Sequence, residues 1–215
     1  MAGGRGERLH PLTEKTPKPL LNVGGKPILE TVIDGFASQG FKKFWLCVNY
    51  KAHLIEDYFG NGEGRGIKIK YTHEKERMGT AGALSLLPEF DVPVIVHNAD
   101  VLTKMSYGYL MEHHARSNAD ATACLSLYQH QIPYGVPVVE EGRLNGVREK
   151  PIEDFPVLAG IYAVEPSVIA GIPRGYADMP DVLVRLSHVS AFAIEDYWCD
   201  VGRFEDLARA NGGAL

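Results

Sequence analysis

The sequence predicts an α/β protein, a mixed, mainly parallel sheet flanked by helices with a small β-rich lobe in its second half. Three observations predict it. Short apolar runs alternate with stretches of helical apolar spacing through the first 131 residues. From residue 132 the pattern changes to strand runs around a turn at Glu141-Gly142. Finally, 45% of the 215 residues are hydrophobic, enough for one full core.

The elements follow in order. "PILETVIDGFASQG" (27–40) puts Ile28, Leu29, Val32, Ile33 and Phe36 on one helical face and stops at Gly40. "KFWLCVN" (43–49) is a buried-strand run, "AHLIEDYFGNG" a short helix ending in glycines, and "IKIKYTH" (67–73) an alternating strand with one wet face. After "GTAGALSLLPEF", a helix start that Thr80 would cap, comes "VPVIVHNAD" (92–100), the purest buried-strand signal. A helix through "YGYLMEHHARSN" leads to the strand "ATACLSLYQ". The second half adds the hairpin, a strand in "VLAGIYAVEP" (157–166), a short helix in "MPDVLVRL", a strand in "VSAFAIED" and a closing helix in "RFEDLARAN". A single domain over residues 1–215 is expected.

A net charge of −5 argues against a nucleic-acid or anionic-membrane surface. No apolar run reaches membrane-spanning length and no signal-peptide pattern opens the chain, so a cytoplasmic protein is expected. Cys47, Cys124 and Cys199 are scattered without metal spacing and read as reduced core thiols. His113 and His114 are adjacent on a helix and point different ways, a poor metal pair. Asp178 and Asp181 read as loop and N-cap carboxylates.

Chemistry concentrates in "GGRGERLHPLTEKTPKPLL" (3–21). It is neither a Walker loop, having no Gly-Lys-Ser/Thr, nor G-x-G-x-x-G, since Leu9 stands where the third glycine belongs. Exposed glycine amides with Arg5, Arg8 and Lys18 nevertheless make a plausible polyphosphate cradle; solvated turn charges are the competing reading. Such a loop normally follows a strand, yet only Met1-Ala2 precede it. Either the sheet lacks that strand or the chain is a fragment of a longer one; the second is the expectation.

The whole stretch resembles the signature of sugar-1-phosphate nucleotidyltransferases: Ala2-Gly3-Gly4-Arg5-Gly6-Glu7-Arg8-Leu9-His10-Pro11-Leu12-Thr13, then Pro17 to Leu21, then Gly25-Lys26-Pro27. The likeness continues through "MGTAGAL" (78–84), "HNAD" (97–100), "REKP" (148–151), "VLAGIYAVEP" and "YWCDVG" (197–202). It implies the Rossmann-like nucleotide-diphospho-sugar transferase fold and transfer of NMP from an NTP to a sugar 1-phosphate, releasing pyrophosphate. Arg8, Lys18 and Lys150 would be catalytic. Ala2, Gly3, Gly4, Gly6, Met78, Gly79, Thr80 and Gly82 would bind the nucleotide, with Gly79 and Gly82 letting backbone approach the base. Asn98, Glu149 and Gly160 would meet the sugar, and Asp100 with Asp200 would hold Mg²⁺.

Two departures stand out: Ala99 replaces a glycine and should tighten the space beside sugar or metal, and Leu158 replaces an asparagine. The sequence is similar to mannose-1-phosphate guanylyltransferases and to nucleotidyltransferase domains fused to CBS modules in nonulosonic-acid synthesis. That likeness favours GTP over CTP, UTP and dTTP, a homodimer, and an upstream CBS-type regulatory domain. A catalytically inactive nucleotide-sugar-binding regulatory subunit is the alternative.

Overall fold

The structure is a computed structural model and describes residues 1–212. In chain order the elements are β1 (Asn22–Val23), β2 (Lys26–Pro27), α1 (Ile28–Ser38), β3 (Lys43–Val48), α2 (Ala52–Phe59), β4 (Lys68–His73), β5 (Val94–His97) and β6 (Val101–Thr103). They continue with α3 (Tyr107–Ser117), β7 (Ala121–Gln131), β8 (Gly135–Glu140), β9 (Arg143–Glu149), β10 (Ile152–Val164), α4 (Pro166–Ala170), α5 (Met179–Leu183), β11 (Val189–Ala193), β12 (Trp198–Asp200) and α6 (Phe204–Gly212). Short 3₁₀ turns at Glu7–Leu9, Leu12–Glu14, Lys18–Leu20 and Gly82–Leu86 carry the two glycine segments.

A four-stranded sheet runs β11-β7-β10-β5, with helices on both faces. On one face Ile161 and Cys124 pack with Phe36 of α1 and Leu110 of α3. On the other, Tyr162 and Ala123 pack with Ile169 of α4 and with Met179 and Leu183 of α5. Adjacent residues Ile161 and Tyr162 feed opposite layers because successive strand side chains alternate. In α1 the five residues of the expected face are all buried, each contributing about 1.5–3 kcal/mol of transfer free energy. Gly40, at φ 93°, ends the turn after it, a conformation that favours glycine.

The sheet is mixed, with a larger antiparallel share than the sequence pattern predicted. β3 pairs with β4, and β7 with β11, in parallel. β10 instead runs antiparallel to both β5 and β7. The βαβ rhythm predicted parallel neighbours, but β10 returns from the hairpin directly, without a crossover helix, and so arrives antiparallel. The hairpin turns where expected: Glu141 (φ 49°) and Gly142 (φ 78°) both take the left-handed conformation of a tight β8–β9 turn.

Between the free edges of β3 and β5 lies an apolar cleft of about 560 Å³. Met1 and Ala2 bridge it at one end. The Met1 ammonium donates to the His97 carbonyl (2.8 Å), the Ala2 N–H to the Cys47 carbonyl (2.8 Å), and the Ala99 N–H to the Met1 carbonyl (3.0 Å). The two residues before the glycine loop thus sit in strand-like pairing between both edges. The three cysteines are free thiols in the core, and among the described residues no helix is long and apolar enough to cross a membrane.

Candidate active site

The first glycine segment folds around small residues. Gly6 takes φ 65°, and a Cβ there would lie 2.8 Å from Thr13 Cγ2 and 3.1 Å from Lys18 Cβ. Its carbonyl accepts from the buried Thr13 hydroxyl (3.0 Å) and from the Leu9 N–H (2.9 Å). Leu9 is fully buried, so the neighbouring Arg8 is anchored at its backbone while its side chain stays exposed. Gly3 lies against Asn49 and the Glu74 carboxylate, whereas Gly4 faces open space.

Arg8, Lys18, Asp100 and Asp200 converge. Lys18 is buried, and its ammonium pairs with Asp100 Oδ2. β12 runs antiparallel to β6 with Asp200 opposite Val101, and the Val201 N–H donates to the Asp100 carbonyl (2.9 Å). That pairing sets the two aspartates side by side across about a hundred residues of sequence. A Cβ on Gly202 would lie 3.4 Å from both Arg8 Nη2 and Asp200 Oδ2. Burial, and then the Asp100 carboxylate, push the Asp200 carboxyl above its ordinary range, against the pull of Lys18 and Arg8.

These two carboxylates suit Mg²⁺, which takes one or two protein carboxylates and completes its shell with water and phosphate oxygens. Both carboxyls are partly buried, and a cation between them would relieve the repulsion of Asp100 on Asp200. Among the described residues no group of three or more His, Cys, Asp or Glu side chains forms a metal cage.

The sugar candidates divide between two places. Asn98 and Gly160 are together: the Asn98 N–H donates to the Gly160 carbonyl (2.9 Å). A Cβ on Gly160 (φ 73°) would meet Asn98 Nδ2 at 2.7 Å, so this glycine makes room for the Asn98 amide. Glu149 and Lys150 lie instead at the exposed end of the β8–β9 hairpin, where Lys150 takes φ 45° and its N–H donates to the Tyr134 carbonyl (3.3 Å). No described hydrogen bond or ion pair joins either of them to the aspartate pair. Leu158 is 40% exposed on β10, whereas Ala99 is buried at 4%. Ala99 packs with Leu29, Ile33 and Val48 in the core, so its methyl tightens the core and not the sugar or metal space.

At the second glycine segment the structure corrects the expected Thr80 cap. The N-cap of the 3₁₀ turn is Ala81, without a side-chain hydrogen bond. The Thr80 hydroxyl donates to Asp178 Oδ1 (3.1 Å) and accepts from the Met179 N–H (2.8 Å), so it serves the start of α5. Asp178 occupies the N-cap position of α5, but its side chain reaches across to residue 80 instead of capping. Cβ atoms on Gly79 and Gly82 would clash with the main-chain carbonyls of Ala177 and Gly175. The close approach these glycines permit is therefore to the 175–178 loop.

Sequence reasoning missed Tyr176 and Glu74, and read Asp178 only as a loop or N-cap carboxylate. The Glu74 carboxylate faces the Met78 N–H and lies against Gly3, between the two glycine segments. Only the "HEKE" position just past β4 signalled it. His113 and His114 point apart, the first to Ser190 (2.8 Å) and the second to Thr122 (2.8 Å) and Glu165 (3.2 Å).

The chain resembles known proteins over nearly its whole length. The family model for nucleotidyl transferases matches residues 1–215. Mannose-1-phosphate guanyltransferase of Yarrowia lipolytica is 36% identical, over 96% of this chain and 61% of its own length. Mannose-1-phosphate guanylyltransferase of Mycobacterium tuberculosis is 32% identical over 98% of this chain and 62% of its own. The chain thus spans about three fifths of the curated relatives it matches. A crystal structure titled as a putative glucose-1-phosphate thymidylyltransferase from Bacillus anthracis shares the fold: TM-score 0.78, 22% identity, 98% of this chain and 92% of that one. HddC from Yersinia pseudotuberculosis superposes with a TM-score of 0.75 at 25% identity, covering 98% and 96%. Glycine loop, paired aspartates, fold and matched length lead to one statement: the chain belongs to the nucleotidyl transferase family.

Proposed function

We propose that this chain transfers NMP from an NTP, with GTP the first choice, to a sugar 1-phosphate, giving an NDP-sugar and pyrophosphate. The observation that carries the reading is the convergence of Arg8, Lys18, Asp100 and Asp200 at the glycine loop. The relatives named as mannose-1-phosphate guanylyltransferases support the choice of guanine.

A sugar-phosphate oxygen forms a bond to the α-phosphorus while the α–β bridging P–O bond breaks, its electron pair leaving with pyrophosphate. Positioning and charge stabilisation supply the catalysis, and no protein nucleophile is required. The glycine amides cradle the triphosphate, Arg8 stabilises charge developing on the leaving pyrophosphate, and Lys18 turns from Asp100 to the phosphates. Asp100 and Asp200 would hold Mg²⁺, which neutralises charge on the reacting phosphate. Lys150 meets the acceptor phosphate, and Glu149, Asn98 and Gly160 meet the sugar.

A homodimer and an upstream CBS-type domain are part of the same proposal.

The test is pyrophosphate release with Mg²⁺ across four NTPs and a panel of hexose and hexosamine 1-phosphates. Release with one pair names both substrates. Silence across the panel, with nucleotide-sugar binding retained, would replace this reading with an inactive regulatory subunit.

A further inference from the structure

The 175–179 loop is tied to the Met78–Gly82 segment by a ladder of bonds spanning about a hundred residues of sequence. Asp178 Oδ1 accepts from both the Thr80 N–H (2.9 Å) and the Thr80 hydroxyl (3.1 Å), and its Oδ2 accepts from the Tyr176 hydroxyl (2.7 Å). The Ala81 N–H donates to the Ala177 carbonyl (2.9 Å), and the Ala177 N–H to the Met78 carbonyl (3.0 Å). The Tyr176 hydroxyl, then the Thr80 N–H, hold the Asp178 carboxyl below its usual range, so it remains a charged acceptor at neutral pH.

These bonds decide what the segment can offer a ligand. The Thr80 hydroxyl is engaged at both its donor and an acceptor position. The Met78 N–H faces the Glu74 carboxylate, and the N–H groups of Thr80, Ala81 and Gly82 are all engaged in hydrogen bonds. Among the described residues, the Gly79 N–H and the carbonyls of Gly79 and Thr80 carry no hydrogen bond. One donor and two acceptors remain, all main-chain. Guanine presents the complement on one edge: the O6 acceptor with the N1–H and N2–H₂ donors.

We propose that Asp178 is a positioning residue for the nucleobase end of the site. Its carboxylate pins Thr80, fixes the Met78–Gly82 backbone, and leaves one donor and two acceptors for a guanine edge. The proposal rests on the nucleotidyltransferase reading and adds to it the residue that sets base affinity and discrimination. Tyr176 orients that carboxylate from the solvent side.

The test uses Asp178→Ala and Asp178→Asn, with Asp181→Asn, an exposed carboxylate on α5, as the control. Asp178→Ala should raise KM for GTP about ten- to a hundredfold, narrow the preference for GTP over ATP, and leave KM for the sugar phosphate unchanged. Asp178→Asn keeps an acceptor for Thr80 and should fall between, while Asp181→Asn should match the parent. Hydrogen exchange over residues 78–84, read without substrate, should accelerate in Asp178→Ala alone. Unchanged GTP KM and base preference would overturn the proposal, as would equal loss of kcat with every NTP or unchanged exchange. Should the parent turn over no substrate pair, the assigned reaction fails by itself. Exchange and GTP-against-ATP calorimetry on the same variants then still decide the role of Asp178.

Discussion

The phosphate end of the site and the hairpin lobe are built in opposite ways. At the phosphate end, Lys18 is held with its side chain only 10% exposed, between Gly6, Thr13 and Asp100. In the lobe, Glu149 ends β9 and Lys150 follows it, both exposed, while Tyr134 just before β8 and Leu144 and Val147 on β9 are 73%, 65% and 57% exposed. A two-stranded ladder with little packing behind it is marginal on its own, whereas a core-anchored loop has few alternatives. The difference teaches that the Lys18–Asp100 charge pair is placed by folding itself, whereas the hairpin charges have little packing to fix them.

Substitutions can break this contrast at graded cost. Asp200→Asn or Asp100→Asn should lower kcat about 10²–10³-fold in a pyrophosphate-release assay, because each removes a charge held at the reacting phosphate. Near-normal turnover of Asp200→Asn with Mg²⁺ would falsify the metal assignment. Lys150→Ala should act mainly on KM for the sugar phosphate, by roughly tenfold, with no measurable change in thermal midpoint. A midpoint drop there would mean that the lobe is as tightly built as the loop.

A stability comparison of two glycines sharpens the same point. Gly6→Ala should cost about 1–2 kcal/mol in denaturant unfolding, from its left-handed φ and its crowding against Thr13. Gly146→Ala in β9 meets nothing within 4 Å and should be neutral within about 0.5 kcal/mol.

A pH test concerns His97, whose carbonyl accepts from the Met1 ammonium just before the glycine loop. Burial lowers its pKa from 6.5 to about 4. The unfolded chain binds the proton near 6.5, so stability from the neutral ring is present above that pH and lost as pH falls towards 4. The drop in thermal midpoint between pH 7 and pH 5 should therefore shrink in His97→Gln. An identical drop in both proteins would remove His97 from the acid response.

Local patterns were legible in the sequence. The face of α1 follows from the spacing of Ile28, Val32 and Phe36, and the hairpin from Glu141-Gly142, because both depend on neighbours a few residues away. The candidate residues were legible as motifs, and the pairing of Asp100 with Asp200 only through the family resemblance, not from local pattern. Nothing near Asp100 announces that β12 will place Asp200 beside it. Thr80 looked like a cap for the turn it opens, because the alternative partners, Asp178 and Met179, lie nearly a hundred residues away. Ala99 was misread for a related reason: it sits in the turn between β5 and β6, where the local sequence does not say which way a side chain points, and here it packs into the core.

The side-by-side aspartates also have a history on the ribosome. Arg8 and Lys18 leave the exit tunnel long before Asp200, and at roughly 5–20 residues per second the wait is on the order of 10–40 s. Throughout that interval the nascent chain carries its cationic loop without the second acidic partner. The charge balance of the site is completed only when β12 zips onto β6, one of the last pairings the chain can make.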